Sequence, residues 1–140
     1  MSDSFHTTVL RLTTGARETV TDLTRQCESF LAEVAAGADG LLNVFVPHAT
    51  AGIAILETGS GSDEDLLAIL RKLLPPDAGW RHRHGHPGHG RDHVLPSLVA
   101  PHATLPVLEG RLQLGTWQSV CLVDTNTSNA QRQVRLSFLG

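Results

Sequence analysis

Lysine is almost missing from this chain: Lys72 stands alone, and no block of basic residues occurs anywhere in its 140 positions. Nucleic-acid binders draw much of their affinity from clustered cations on phosphates and from aromatics that stack on bases. A net charge of −3 and 4% aromatic residues exclude that partner class. Cysteine is scarce as well. Cys27 and Cys121 are too few for a disulfide framework and too far apart for a CxxC metal knuckle, so both read as small buried apolar residues. No apolar run approaches the ~18 residues of a membrane span, which leaves out a membrane partner. The start, Met1-Ser2-Asp3-Ser4, has neither the basic nor the apolar part of a signal peptide, and the expected location is cytoplasmic. Glycine-rich phosphate loops of the GxxxxGK[ST] or GxGxxG kind are absent, and no serine or cysteine has a nucleophile context.

What remains, 41% hydrophobic and 18% charged residues, suits one globular domain over residues 1–140. A domain of this size buries roughly two-thirds of its unfolded surface, so it needs no metal in order to fold. A metal bound here would serve chemistry.

Phe5 to Leu12 is rich in β-branched and apolar residues and reads as a first strand, closed by Thr13-Thr14-Gly15. With Thr21 or Asp22 as N-cap, Leu23, Cys27, Phe30, Leu31 and Val34 recur at helical spacing until Gly37. Leu41 to Val46 and Gly52 to Leu56 have strand length, and His48 lies between them. Ser62 as cap and Asp63, Glu64 and Asp65 at the positive end begin a second helix that presents Leu66, Leu67, Ile69, Leu70, Leu73 and Leu74 inward and stops at Pro75-Pro76. Asp77 to Asp92 reads as a long loop without periodicity, followed by one helical turn between His93 and Ala100. Thr104 to Leu108, Leu112 to Leu114, Thr116 to Val123 and Gln133 to Leu139 read as strands. This order lacks a βαβ alternation and predicts an α+β domain: a largely antiparallel sheet or sandwich with two main helices, not a Rossmann fold.

Six of the eight histidines fall between His48 and His93. The tract Trp80 to His93 holds five of them on a loop that can aim several at one point. Three neutral imidazoles with one open position make a catalytic zinc site, whereas a solvated His/Gly loop would have only incidental metal affinity. His48, between apolar strands, must find a ligand or a hydrogen-bond partner. Glu57 and Asp124, each at a strand end, are the acids available to a site. Arg132 and Arg135, three apart on the last strand, point to opposite faces, so only one can line a given pocket.

Pro47-His48-Ala49-Thr50-Ala51, Glu57, Trp80-Arg81-His82, His93 and Leu114-Gly115-Thr116-Trp117-Gln118 resemble the YjbQ family, also described as secondary thiamine-phosphate synthases. The resemblance runs over nearly the whole chain, with Gly115 to Gln118 its most specific element. It implies a small homotrimer with polar residues gathered near a subunit interface. His48, His82 and His93 would be the metal or anion site, with Glu57, Trp117 and Gln118 beside it. The activity it implies joins a pyrimidine pyrophosphate to a thiazole phosphate and releases pyrophosphate. In that reaction Asp124 and Arg132 belong with the catalytic set, and a small phosphorylated metabolite is the substrate class.

Where the family carries acidic or Asn positions between its two loop histidines, this chain has Gly85, Gly88 and His89. Imidazoles in place of acids make zinc a better expected divalent cofactor than magnesium, which prefers oxygen ligands. The residue chemistry therefore also suits a zinc-dependent hydrolase using a histidine triad, with Glu57 as general base. A non-catalytic trimer that binds metal or phosphate is the third alternative. The resemblance singles out His48, His82 and His93 as the essential imidazoles, and His6, His84 and His86 as positions free to vary.

Overall fold

The computed structural model describes residues 4–140; residues 1–3, used in the leader-peptide argument, lie outside them. The chain order is β1 (Phe5–Thr13), β2 (Thr19–Asp22), α1 (Thr24–Val34), β3 (Gly40–Phe45), β4 (Ala51–Leu56), α2 (Ser62–Leu73), α3 (His89–Asp92), α4 (Leu95–Leu98), β5 (His102–Leu108), β6 (Arg111–Leu112), β7 (Ser119–Asp124) and β8 (Gln131–Leu139). The strands form a five-stranded sheet in the order β1-β8-β3-β5-β6 and a three-stranded sheet in the order β2-β7-β4. All strand pairs are antiparallel, as the α+β reading expects.

The burial pattern follows from strand periodicity. Along β8 every second side chain is inside, with Arg132, Val134, Leu136 and Phe138 buried and Gln131, Gln133 and Arg135 outside. This sheet therefore covers the core with one face only. In β7 the run Val120 to Asp124 is buried without interruption. Val120 and Leu122 join the main core of α1, β3 and β8, while Val123 packs with Leu70, Leu74 and Leu95 on the other side. The small sheet is thus a middle layer, and its unbroken apolar sequence is the signature of two covered faces. Cys27 and Cys121 are buried free thiols, each pushed up to about 12 first by burial.

Several boundaries differ from the sequence reading. Thr21 and Asp22 belong to β2, paired with Leu122 and Cys121, and the N-cap of α1 is Leu23. Asp22 still accepts the Thr24 N–H through Oδ1 at 2.9 Å, so a capping-type bond forms from inside the strand. The cap of α2 is Gly61 at φ +102°, and Ser62 is already helical. The acids Asp63, Glu64 and Asp65 occupy the first turn as expected. Leu70 and Leu74, four apart, face inward, whereas Ile69 and Leu73 are 47% and 60% exposed, because the contact stripe of this helix is narrower than its apolar composition. β7 begins at Ser119, not Thr116, since residues 115–118 close a turn of their own. The tract after Asp77 contains α3, a buried helical turn.

Candidate metal centre

The histidine tract is held down at both ends. Trp80 packs beside Leu70, Leu74 and Leu95 and donates its indole N–H to the Pro75 carbonyl at 2.8 Å. At the far end, Arg91 pairs with Glu18, just ahead of β2, and Asp92 Oδ1 accepts the Thr125 hydroxyl at 2.7 Å. Glycine makes the path between them possible. A Cβ on Gly90 would lie 2.6 Å from the His82 carbonyl oxygen and 2.7 Å from Trp80 Cβ. Gly85 sits at φ +85°, and a Cβ there would meet the His89 ring at 2.9 Å. The loop folds back on itself because these two positions carry no side chain, which turns His89 inward and half-buries His82, with His84 at the exposed rim.

Five of the histidines converge. The ring centroids of His82 and His84 are 3.9 Å apart, those of His82 and His93 4.0 Å, and those of His89 and His93 4.6 Å. Nε2 of His89 and Nε2 of His93 share one hydrogen bond of 2.9 Å. His86 lies at the margin, its ring 5.2 Å from His89. Burial pushes His89 and His93 below the ordinary histidine range; the charges of neighbouring imidazoles add to this and Asp92 opposes it. Neutral imidazoles at neutral pH are metal ligands in waiting. His82, His84 and His89 each offer a ring nitrogen, all within 4.8 Å of one another. Tetrahedral zinc at ~2.0–2.1 Å from each nitrogen needs spacings of ~3.4 Å, so side-chain rotation would have to close at most about 1.4 Å. Nδ1 of His82, buried and without a partner, fits a centre that is built to be filled.

His48 stands across a shallow recess that it lines together with Phe45, Val46, Pro47 and His93. Its Nε2 accepts the Gln133 backbone N–H at 3.0 Å, which supplies the partner that a half-buried imidazole requires. Burial and then the Arg132 charge lower its pKa, against an opposing pull from Asp124. Beneath it Asp124 and Arg132, at 0% and 2% exposure, form an ion pair. Burial pushes the Asp124 carboxyl up, while Arg132 and the Asn126 N–H pull it down. Arg132 also donates to the Gln131 carbonyl at 2.9 Å and faces inward, while Arg135 faces out toward Thr7, so the two take opposite faces as the alternation required.

The remaining expected site residues lie elsewhere. β4 and β7 run antiparallel with Ala51 opposite Asp124 and Leu56 opposite Ser119. Asp124 and His48 therefore sit at one end of the small sheet, and Glu57, Trp117 and Gln118 at the other, about 17 Å away at ~3.4 Å per residue. Gln118 closes its own turn: its side-chain oxygen accepts the Gly115 N–H at 2.8 Å, and its N–H donates to the Gly115 carbonyl at 3.0 Å. Trp117 projects from that turn at 73% exposure. Within one chain, Glu57 does not reach the imidazoles.

Sequence reasoning gave no role to His84, His89, Asp92 or Thr125. Part of the signal was present, since His89 and His93 are four apart and His89 and Asp92 three apart, as on one face of a helical turn. Thr125 sits in the polar run Asp124 to Asn129, which reads as an ordinary turn.

A family model described as UPF0047 protein YjbQ-like matches residues 8–140. The UPF0047 protein Rv2556c of Mycobacterium tuberculosis is 57% identical over 124 residues, covering 89% of this chain and 91% of its own. A UPF0047 protein of Archaeoglobus fulgidus is 30% identical over 125 residues, covering 89% of this chain and 95% of that relative. Among solved structures, a YbjQ-like protein of unknown function (SSO2532) from Sulfolobus solfataricus P2 superposes with a TM-score of 0.92 at 25% identity, covering 99% of each chain. Hypothetical protein APE1520 from Aeropyrum pernix K1 gives 0.87 at 32% identity, over 96% of this chain and 98% of that one. The match of the family model over residues 8–140, together with these likenesses in sequence and fold, shows that the chain belongs to the YjbQ-like UPF0047 family.

Proposed function

We propose that the loop imidazoles form a zinc-preferring metal centre at which the protein acts on a small phosphorylated metabolite. The observation that carries this is the convergence of His82, His84 and His89, three ring nitrogens within 4.8 Å on a clamped loop. An all-nitrogen donor set suits zinc over magnesium. A bound ion would polarise a phosphoryl oxygen and bring the pKa of a coordinated water to ~7. The chain supplies the rest. His93 borders the centre through His89 and the open recess through His48, so a substrate in the recess meets neutral imidazoles that can accept a proton. The base in this reading is an imidazole, because Glu57 belongs to the opposite end of the sheet. Arg132 acts here by positioning Asp124, since it is 2% exposed and three of its N–H donors go to Asp124 and the Gln131 carbonyl.

The likeness to secondary thiamine-phosphate synthases carries a second reading. Exposed Trp117 favours it as a platform on which a pyrimidine ring can stack. Trp117, Gln118 and Glu57 are distant from the imidazoles of their own chain, so this reading requires a homotrimer in which a neighbouring copy completes each site. We place the protein in the cytoplasm, where Cys27 and Cys121 would stay free thiols. Among the described residues no helix is long and apolar enough to cross a membrane.

Element analysis of protein purified without an affinity tag tests the metal centre. About one zinc per chain is expected at neutral pH, and protein that stays metal-free after zinc is supplied overturns the centre. Phosphate release from small phosphate esters supports the hydrolytic reading. Pyrophosphate release, given a pyrimidine pyrophosphate together with a thiazole phosphate, supports the transferase. Zinc-loaded protein that does neither is left with a binding role.

A further inference from the structure

Three buried polar atoms with no hydrogen-bond partner lie together on the far side of His89: Nε2 of His86, Nδ1 of His89 and Oδ2 of Asp92. Oδ2 of Asp92 is 3.8 Å from His89 Nδ1 and 4.0 Å from His86 Nε2, and all three donors fall within 4.8 Å of one another. Burying three unsatisfied polar atoms in one place is costly unless something joins them. Asp92 is 1% exposed and uses its two oxygens differently. Oδ1 takes the Thr125 hydroxyl and has Arg91 Nε at 3.6 Å, while Oδ2 is left facing the two imidazoles. Orientation of a ligating carboxylate through its other oxygen is how metal sites are commonly supported.

We infer that His86, His89 and Asp92 form a second cation site, of the two-histidine, one-carboxylate type, suited to ferrous or manganous ion. Two nitrogens and one carboxylate on one face of the ion leave the remaining positions to water, and that donor set suits these ions in a way an all-imidazole set does not. A cavity of about 180 Å³ bordered by Glu18, His86, Arg91, Asp92, Thr125 and Thr127 reaches two of the three donors, His86 and Asp92, and gives water and cation a way in. Glu18 pairs with both Arg71 and Arg91, and Arg91 Nε reaches only Oδ1 of Asp92, so Oδ2 is the carboxylate oxygen left open to a cation. The donors must close by nearly 1 Å from the spacing they now have: rotation of His86, the most exposed of the three, closes the 4.0 Å gap to Asp92, and the 3.8 Å gap between His89 and Asp92 needs a small turn of those two side chains. This site shares only His89 with the zinc centre proposed above. A neutral imidazole has one lone pair, so the two positions compete for His89 and hold one fully ligated cation between them.

Manganese alone is the probe, its free concentration read from the room-temperature EPR signal of the hexaaqua ion during titration of the intact protein. Binding near one ion per chain is expected, with His86→Ala and Asp92→Asn each weakening it by at least roughly tenfold and His84→Ala leaving it within about twofold. Zinc added to the manganese-loaded protein should release manganese. Asp92 is buried and its variant can fail to fold, so His86→Ala, at a more exposed position, decides the matter by itself: unchanged manganese affinity in that variant overturns the site. Equal loss in His84→Ala also overturns it, because the ion would then sit among the first imidazoles. Zinc affinity unaffected by His84→Ala would overturn the zinc centre and leave the manganese result standing, so failure of either proposal can be recognised.

Discussion

Replacing Arg132 by methionine removes one partner of the most deeply buried ion pair in the described chain while nearly preserving volume. Asp124 then keeps only the Asn126 N–H, at 2.9 Å, at a position of 0% exposure. Stranding one charge of a buried pair costs about 3–5 kcal/mol. For a chain of this length that loss lowers Tm by roughly 10–25 °C. The variant should also enlarge the acid response that Asp124 already has. Burial already holds the Asp124 carboxyl above its ordinary value, and without Arg132 it rises further. A carboxyl whose folded pKa is raised above its unfolded one stabilises the fold when protonated, so Arg132→Met should gain stability as pH falls through that raised pKa. The double variant Asp124→Leu with Arg132→Met removes both charges and leaves only the Asn126 N–H orphaned inside, a cost of about 1–3 kcal/mol, less than either single change. Thermal unfolding by circular dichroism, with urea titration at several pH values, reads all of these. A single-variant loss below about 1 kcal/mol, or a double variant no better than the singles, would refute the reading of Asp124–Arg132 as a desolvated pair.

Gly90→Ala should lower Tm and zinc affinity together, because its Cβ would press on the His82 carbonyl at 2.6 Å; a variant with wild-type zinc binding would show that the loop path tolerates a side chain there. Zinc binding should weaken in acid because a protonated imidazole cannot coordinate, and burial, which holds the ligand His89 and its neighbour His93 below the ordinary range, keeps those two neutral further into acid; an affinity that does not fall on acidification would refute the imidazole ligand set. The same two groups destabilise the metal-free protein in acid: their lowered folded pKa values mean a contribution present above the unfolded pKa and lost as pH falls through the folded one, readable as a falling Tm. Trp117→Ala should leave zinc affinity unchanged, as the indole is at the other end of the small sheet, yet reduce pyrophosphate release if neighbouring copies complete the site. Light scattering should give a trimer, and a mass near 15.0 kDa at micromolar concentration would remove the shared-site reading.

The sequence by itself determined whatever depends on local period and composition. Alternation along the last strand set Arg132 and Arg135 on opposite faces before any neighbour was known, since successive strand side chains must oppose each other, and the packed sheet put Arg132 inside. Helical spacing in α1 placed Cys27, Phe30 and Leu31 in the core, and the density of histidine after Trp80 marked the loop where imidazoles would meet. The tertiary structure alone decided what depends on register and path. Thr19 to Asp22 is too short to announce itself as a strand and becomes one by pairing with β7. Glu57 and Asp124 both end strands, but the antiparallel register of β4 and β7 sends them to opposite ends of the sheet. Which imidazoles converge was decided by close backbone approach at Gly85 and Gly90 and by the clamps Arg91–Glu18 and Asp92–Thr125, contacts made with residues distant in sequence. Periodicity tells a residue which face it occupies, whereas a site needs several residues at one point, and that distance is a property of the packed chain.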